Sequence, residues 1–292
     1  MTSEANTPAL LIRAARADDV DDCGRICHDA FAAIAHRHRF VRDFPSVAAA
    51  TDAVSALIGH PQFFGVVAER DGRVVGSNYL DERSTIASVG PLTVEPDSQD
   101  RRVGTALLET VLDRAKLQGV PGVRLVQAAY HNRSLSLYAK FGFEVREPLV
   151  TLQGNHLGVE VEGCVVRPAT EDDIGACDAL CVMAHGHDRG GELRESVTQQ
   201  VASVVEHNGR ITGYTTGIGF FAHSVAETND DLCALIGAAP SIGGPGLILP
   251  MRNTEMFRWC LARGLRVVHT LNLMTIGLYH EPRGAYLPSI GY

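Results

Sequence analysis

The sequence predicts a mixed α/β protein made of two related halves. The segment Arg13–Val20 recurs as Arg167–Ile174, so the two copies begin 154 residues apart (13 to 167). Alternating apolar residues predict strands over Phe63–Glu69 and Arg73–Asp81, and an apolar residue at every fourth position from Val103 predicts an amphipathic helix. Strands and helices that alternate along one chain indicate a mixed α/β fold.

The copies remain in the same order further along the chain. Asp71–Gly76 resembles Asn208–Gly213 at an offset of 137 residues (71 to 208), and Gly142 corresponds to Gly264 at an offset of 122 residues (142 to 264). Because the offsets shrink, the second copy is a shortened relative of the first. We expect a first domain over residues 1–154 and a second over residues 163–292.

Within the first copy the elements follow the order β-α-α-β-β-β-α-β-α-β. Asp18 and Asp19 suit the start of a helix, and Asp71-Gly72 is a strong hairpin signal. The other predicted elements are a strand over Leu10–Arg13, helices ending near Ala35 and starting after Ser46, a strand over Thr85–Glu95, a helix over Val103–Gly119, a strand over Val123–Ala128, a helix over Asn132–Phe141 and a strand over Phe143–Leu152.

Composition excludes several classes of protein. The chain has 292 residues, of which 45% are hydrophobic and 21% charged, as in an ordinary globular protein rather than a disordered one. The net charge of −8 argues against nucleic-acid binding. No run approaches the roughly 18 apolar residues that a membrane helix needs, and the first ten residues do not resemble a signal peptide. We therefore expect a cytoplasmic protein with no membrane partner.

The seven cysteines suggest packing rather than chemistry. Their odd number and the expected reducing compartment argue against disulfides. Cys23 and Cys27 are four residues apart, as are Cys177 and Cys181, so each pair would share one face of a helix. No CxxC or HExxH motif accompanies them, which favours buried core cysteines over zinc ligands. We expect no metal.

The segment between Val94 and Val103 combines a strand end, a polar turn and a helix start. Backbone N–H groups converge at such a turn, and the helix dipole adds partial positive charge. Arg101 and Arg102 add formal charge that suits phosphate oxygens. The turn therefore predicts an anion site, although a polar loop that merely caps the helix is the alternative.

Residues 10–152 resemble the GCN5-related N-acetyltransferase (GNAT) superfamily in three stretches. Gln99–Ala106 is similar to the family pattern Q/R-x-x-G-x-G/A, and Val94-x-Pro96 precedes it as in the family. Asn132–Phe143 matches N-x-x-x-x-x-Y-x-K-x-G-F. Aligned by Pro96 and Leu107, Gln99 takes the first position of the pattern and Arg102 stands where the first glycine is usual. Read literally, Arg101-x-x-Gly104-x-Ala106 also satisfies the pattern, two residues later relative to the strand. The resemblance implies two GNAT-like domains, each a mixed, mostly antiparallel sheet flanked by helices.

The resemblance also implies acetyl-CoA as co-substrate, bound between the fourth and fifth strands of the first copy. Strand backbone would contact the pantetheine arm, and the turn amides would contact the diphosphate. The residues expected to bind it are Leu92, Val94, Gln99, Asp100, Arg101, Arg102, Val103, Gly104, Thr105 and Asn132.

Catalytic roles follow from the same resemblance. Tyr138 matches the family's general acid, which protonates the departing thiolate, with a core aromatic as the alternative. Glu82 is the first candidate for the general base and Asp81 the second, although both could be solvated acids at a strand end. His28 and Phe31 are expected to line the acceptor pocket, with plain packing as the alternative.

The second copy lacks these parts. Its counterpart of the anion turn contains Asp230 and Asp231, and its counterpart of Tyr138 is Trp259 or Cys260, depending on the alignment. We expect it to complete the acceptor pocket or to stabilise the first domain. The predicted function is transfer of acetyl from acetyl-CoA to the amine of a small molecule, with a homodimer as one form of assembly. The alternative is a non-catalytic module that senses CoA or another ligand.

Overall fold

The computed structural model describes residues 10–99 and 101–292. By its internal contacts the chain divides into two compact units, one running to Glu82 and continuing over Val89–Gly119, the other comprising Arg83–Ser88 and Val120–Tyr292. The division at Gly119 falls inside the first sequence copy. The boundary expected between residues 154 and 163 stays a prediction.

The first unit is built on an antiparallel sheet. The elements up to Gly119 are β1 (Leu11–Ala14), α1 (Val20–His38), α2 (Val47–Gly59), β2 (Phe63–Arg70), β3 (Arg73–Asp81), β4 (Ala87–Val89), β5 (Thr93–Val94) and α3 (Val103–Leu117). β2 pairs with β1 and β3, and β3 also pairs with β5. Buried residues of α1, α2, β2 and β3 form one apolar core, which includes Cys23 and Cys27.

Two predicted boundaries in this unit are wrong. The strand expected over Thr85–Glu95 is two short strands, β4 and β5, separated by Gly90, Pro91 and Leu92. A proline has no N–H for a ladder, and the Gly90 N–H donates to Tyr79 O at 2.9 Å. Helix α1 continues to His38, past the expected end near Ala35. It ends where Arg39 takes a left-handed conformation with φ of 59°.

The second unit contains two sheets. Its elements after Val120 are β6 (Gly122–Ala128), α4 (Asn132–Lys140), β7 (Glu144–Gln153), β8 (Cys164–Pro168), α5 (Ile174–His185), α6 (Gly190–Thr198), β9 (Ser203–His207), β10 (Arg210–Thr215), β11 (Ser224–Ala226), α7 (Asn229–Ala238), β12 (Leu247–Pro250), α8 (Thr254–Ala262), β13 (Arg266–Gly277) and β14 (Ala285–Leu287). One sheet has the order β6-β13-β7-β12, and the other β14-β11-β10-β9-β8.

Pairing within these sheets is mostly antiparallel. The exception is β4, whose Ala87 and Ser88 pair in parallel with Val123 and Arg124 of β6. The predicted fold class, a mixed and mostly antiparallel α/β architecture flanked by helices, is confirmed.

Strand β13 occupies a central place that the sequence did not predict. It pairs antiparallel with β6 on one side and with β7 on the other, so that Leu271 is opposite both Ala128 and Leu149. β6 and β7 belong to the first sequence copy, whereas β13 belongs to the second. The second copy therefore supplies a strand that separates two neighbouring strands of the first, and without it both would present unpaired edges.

The repeat has an equivalent ion-pair geometry in each copy. Arg13 Nη1 and Nη2 bind Asp19 Oδ2 and Oδ1 at 2.7 and 2.8 Å, and Arg13 Nε binds Glu69 at 2.8 Å. Arg167 binds Asp173 at the same two distances and Glu206 at 2.8 Å. These matches follow the offsets read from the sequence, which indicates that the two copies place this motif in the same way.

Buried cysteines match the expectation with one exception. Six of the seven are buried, whereas Cys164 is partly exposed. Among the helices of the described residues, none combines the length and the apolar character needed to cross a membrane.

Candidate functional site

Among the described residues of the turn before α3, the N-cap residue supplies no side-chain cap to the start of that helix. Its N-cap residue, Arg102, makes no capping hydrogen bond, and the first turn carries no acidic residue. The first N–H groups of a helix have no partner within the helix, so those of Val103, Gly104 and Thr105 are suited to an anion. The exposed Arg101 and Arg102 add positive charge beside them.

The other residues predicted to bind the cofactor in this unit lie on β5 or next to it in the chain. Leu92 and Val94 are partly buried on either side of the buried Thr93, whose hydroxyl lies 3.2 Å from that of Ser77. Gln99 Nε2 donates to Val94 O at 3.3 Å, which ties the turn to the strand. Asp100, which was also predicted to bind, lies outside the described residues.

Arg102 has a left-handed backbone conformation, which glycine adopts at no steric cost. Its φ is 61° and its ψ 10°, in the left-handed region that L-residues other than glycine, asparagine and aspartate seldom adopt. The side chain is exposed. The turn therefore places an exposed arginine at a position of positive φ.

We expect Arg102→Gly to change the free energy of unfolding by less than about 0.5 kcal/mol, because relief of the left-handed strain offsets the greater freedom of glycine in the unfolded chain. Arg102→Val should cost about 1–2 kcal/mol, because a β-branched residue resists positive φ. Urea denaturation measures both. Arg101→Val is the exposed control, and an equal loss in it and in Arg102→Val would contradict the interpretation.

Glu82 is engaged in an ion pair. Its two carboxylate oxygens accept from Arg114 Nε and Nη2 of α3 at 2.8 and 3.0 Å. It is therefore not the solvated acid of the alternative interpretation, and this pairing opposes its use as a base. Asp81, the second candidate, is buried. The general base stays a prediction.

His28 and Phe31, the predicted acceptor-pocket residues, lie one turn apart on α1. The His28 ring lies 3.0 Å from an Asp29 carboxylate oxygen, measured from Nδ1. Phe31 packs edge-on against Phe44, with 5.8 Å between ring centroids, and it contacts the apolar core of the first unit. The contacts of Phe31 fit the packing alternative, and its role in a pocket stays a prediction.

Tyr138 and Asn132 lie in the second unit, on α4. Tyr138 is partly buried, and its ring meets that of Phe143 edge-on at 5.8 Å. Burial raises the pKa of Tyr138 above its ordinary value, which keeps the hydroxyl protonated. No hydrogen bond joins that hydroxyl to any other residue in the described part of the chain. Asn132 is the first residue of the helix and is exposed.

In the second copy, the counterpart of Tyr138 is buried and the helix start that corresponds to that of α3 is capped by a side chain. Both ends of α8 lie 122 residues after those of α4 (132 to 254, 140 to 262), which identifies the buried Cys260 as the counterpart of Tyr138. Helix α7 is capped by Thr228, whose hydroxyl accepts from Asp231 N at 3.2 Å. A polar cavity of about 310 Å³ adjoins that helix start, and Asn229 and Asn253 hydrogen-bond to each other in its lining.

A buried polar network in the second unit was not predicted. Arg189 Nη2 binds both oxygens of Glu192 at 2.7 and 2.8 Å. Glu192 Oε2 also lies 2.7 Å from His223 Nδ1, and His223 Nε2 lies 3.0 Å from the Tyr214 hydroxyl. Burial, together with the Arg189 cation, lowers the pKa of His223 to about 4. His223 is therefore neutral, and we assign its proton to Nδ1, facing Glu192.

This histidine predicts a loss of stability in acid. Between pH 6.5 and 4 the unfolded chain would protonate His223 whereas the folded chain would not, so stability falls as the pH falls through this window. The loss approaches about 3 kcal/mol from this group alone. Denaturation at a series of pH values measures it. His223→Gln should flatten the dependence of the unfolding free energy on pH in this window. His36 is exposed, so His36→Gln should leave that dependence unchanged. Equal slopes in the two variants would contradict the assignment.

Three potential metal ligands also meet in the second unit. Cys164 Sγ lies 3.8 Å from His207 Nδ1 and 3.9 Å from Asp231 Oδ1. Both carboxylate oxygens of Asp231 are used in hydrogen bonds within the fold. Its Oδ1 accepts from Thr212 at 2.6 Å, and its Oδ2 accepts from Thr228 at 2.6 Å. We assign the group to the capping of α7.

Known proteins resemble the chain in sequence over part of its length. The model of the acetyltransferase (GNAT) family matches residues 31–143. A mycothiol acetyltransferase from Brachybacterium faecium is 30% identical over 162 residues, covering 52% of this chain and 48% of that protein. An IAA acetyltransferase from Azospirillum brasilense is 30% identical over 93 residues, covering 31% of this chain and 61% of that protein. The match thus spans about half the length of the first of these relatives.

Solved structures resemble the whole chain. A proposed acetyltransferase from Pyrococcus horikoshii has a TM-score of 0.75 at 19% identity, covering 97% of this chain and 94% of that one. A tandem GNAT protein from the clavulanic acid biosynthesis pathway has a TM-score of 0.55 at 16% identity, covering 92% and 98%. At these identities the likeness establishes the fold alone.

Proposed function

We propose, for a chain whose residues 31–143 match the model of the acetyltransferase (GNAT) family, that it transfers acetyl from acetyl-CoA to the amine of a small molecule. The observation that carries this proposal is the uncapped start of α3 beside the left-handed Arg102. The start of α7 differs from that of α3, because the side chains of Thr228 and Asp231 cap α7. These caps occupy hydrogen-bonding groups that an anion would otherwise use. Of these two helix starts, that of α3 is the one open to a diphosphate.

In the proposed complex the amides of Val103, Gly104 and Thr105 hold the diphosphate of acetyl-CoA. The pantetheine arm runs along strand backbone at Leu92 and Val94. Arg101 and Arg102 strengthen binding through charge. Because both guanidinium groups are exposed, their contribution depends on ionic strength.

The reaction we propose is direct transfer. The neutral amine nitrogen attacks the thioester carbonyl, the carbon–sulfur bond breaks, and the sulfur leaves as a thiolate that needs a proton. Tyr138 supplies it, since its raised pKa keeps the hydroxyl protonated until a stronger base appears. The nitrogen releases its own proton to a base that we leave unassigned, because Glu82 is held by Arg114.

The second copy has a structural part in this proposal. Its strand β13 holds β6 and β7 in one sheet, and β6 is followed directly by the helix that carries Tyr138. The names of the relatives, mycothiol acetyltransferase and IAA acetyltransferase, support a small-molecule acceptor.

Two measurements test the proposal. Isothermal titration of the full chain with CoA and acetyl-CoA should give a heat of association, and its absence at high concentration would end the proposal. Release of free thiol from acetyl-CoA, measured across a panel of small amines, should then rise above the rate without amine. Binding with no turnover for any amine would favour the alternative, a module that senses CoA without catalysis.

A further inference from the structure

Arg124, in the middle of β6, is a buried cation without a counter-ion. Its side chain is 2% exposed, and its Nε is buried with no hydrogen-bond partner. The guanidinium carbon lies 4.7 Å from the centre of the Tyr292 ring and 5.8 Å from that of Tyr279. It makes no ion pair with any acid of the described chain. Such a charge is costly to bury unless a partner compensates it.

A second arginine shares the same aromatic ring. Arg189 is 4% exposed, and its guanidinium carbon lies 5.3 Å from the centre of the Tyr292 ring. Its Nη2 is bound by Glu192 and by Ser289, whereas its Nη1 is buried with no partner. Two buried guanidinium groups beside one ring thus keep N–H donors that nothing in the described chain accepts.

The charge balance of this cluster leaves one cation in excess. Glu192 compensates Arg189, and Glu195 binds Arg83 at 2.6 Å. Glu147, the other buried acid of this sheet, binds Arg252 at 2.9 Å. The histidines add no charge at neutral pH, because burial lowers the pKa of both His187 and His223 to about 4. The surplus charge is that of Arg124.

One hydrogen-bond acceptor lies in the same cluster. His187 Nδ1 lies 3.0 Å from the carbonyl oxygen of Asp188, so the neutral ring donates there and carries its lone pair on Nε2. That Nε2 is buried without a partner. The Arg124 cation contributes to the low pKa of His187, which indicates that the two side chains are neighbours. Unpaired donors and an unpaired acceptor together complement a ligand that has both an anionic and an N–H group.

The position of Arg124 relates this cluster to the proposed reaction. Arg124 is opposite Ser88 in the parallel pairing of β6 with β4. The helix that follows β6 is α4, which carries the proposed acid Tyr138. We propose, on the basis of that function, that the acceptor is a small amino acid whose carboxylate binds Arg124 and the free Nη1 of Arg189. A carboxylate matches a planar guanidinium through two parallel hydrogen bonds, which makes arginine better suited to it than lysine.

The first test compares amino acids with their own primary amides as acceptors, using β-alanine and β-alaninamide among other pairs. In the unmodified protein, kcat/KM for the acid should exceed that for the amide about 100-fold, the usual scale for a buried charged partner. Arg124→Gln should abolish that preference, and Arg124→Lys should restore part of it. Equal use of acids and amides by the unmodified protein would overturn the proposal.

Arg146→Gln is the matched control. Arg146 lies 5.2 Å from the same Tyr279 ring but is ion-paired with Glu144 at 2.6 Å and more exposed. The Arg146→Gln variant should keep the preference for acids over amides. If Arg124 served only the fold, Arg124→Gln would lower the melting temperature and keep the preference, which would also overturn the proposal. We expect no fall in melting temperature, because the variant removes an unpaired buried charge.

The second test needs no turnover. Acetate or β-alanine should raise the melting temperature of the full chain by several degrees relative to chloride at equal ionic strength, and should not do so in Arg124→Gln. A rise in melting temperature with inorganic phosphate but none with carboxylates would overturn the carboxylate assignment. If acetyl-CoA fails to bind but carboxylates still stabilise through Arg124, the acetyltransferase proposal fails whereas the anion site stands. No shift with either anion overturns the site.

Discussion

Tyr138→Phe should lower kcat by about 10²- to 10⁴-fold while leaving the affinity for acetyl-CoA nearly unchanged. The substitution removes one oxygen atom and keeps the ring that meets Phe143 at 5.8 Å, so helix α4 should keep its packing. What it removes is the proton for the departing thiolate. Burial raises the pKa of this hydroxyl, and no other described residue hydrogen-bonds to it.

Thiol release measures the rate, and calorimetric titration measures acetyl-CoA binding. Tyr130→Phe is the matched control, because Tyr130 lies just before the same helix and carries the same hydroxyl. A fall of less than about threefold in Tyr138→Phe, or an equal fall in both variants, would return Tyr138 to the alternative interpretation as a packing residue.

Glu192→Gln should cost about 3–5 kcal/mol of unfolding free energy at neutral pH, because it removes the carboxylate of a buried pair and leaves the cation behind. Arg189 is 4% exposed and binds both Glu192 oxygens. Burial opposes the ionisation of Glu192, yet the Arg189 cation and the His223 hydrogen bond hold the pKa of that carboxyl below its ordinary value. The variant should also weaken the contact with Arg83, 3.5 Å away.

Chemical denaturation of the full chain measures this loss. The control is Glu195→Gln, which removes a more exposed carboxylate that pairs with Arg83 at 2.6 Å. A surface pair of that kind contributes about 0–1 kcal/mol. Equal losses in the two variants would show that burial does not distinguish the two pairs.

The sequence was most informative where the structure depends on local geometry. Asp71-Gly72 predicted a hairpin, and both residues have positive φ in the structure, as do Asn208 and Gly209 at the matching place in the second copy. This agreement is expected because a two-residue hairpin depends on only a few backbone angles. The period from Val103 likewise predicted α3, whose buried residues include Val103, Leu107, Val111 and Ala115.

The sequence was less informative about side chains whose partners are far along the chain. Glu82 was read as a solvated acid or a base, because nothing near residue 82 reveals that Arg114 will bind it. Arg124 lies within the apolar strand predicted over Val123–Ala128, and the apolar pattern of that strand does not show what surrounds its side chain. A charged residue between apolar neighbours was the signal that could have marked it, since such residues are rarely buried without a partner.

By itself the sequence determined the fold class, the repeated motifs and the polar turn before α3, because each of these can be read from short segments with their own hydrophobic period or turn residues. Only the tertiary structure decided that β13 separates β6 from β7, and that Arg124 and Arg189 lie beside the Tyr292 ring. The physical reason is that strand order and buried charge depend on which distant segments pack together. Local propensity and hydrophobic period do not encode that choice.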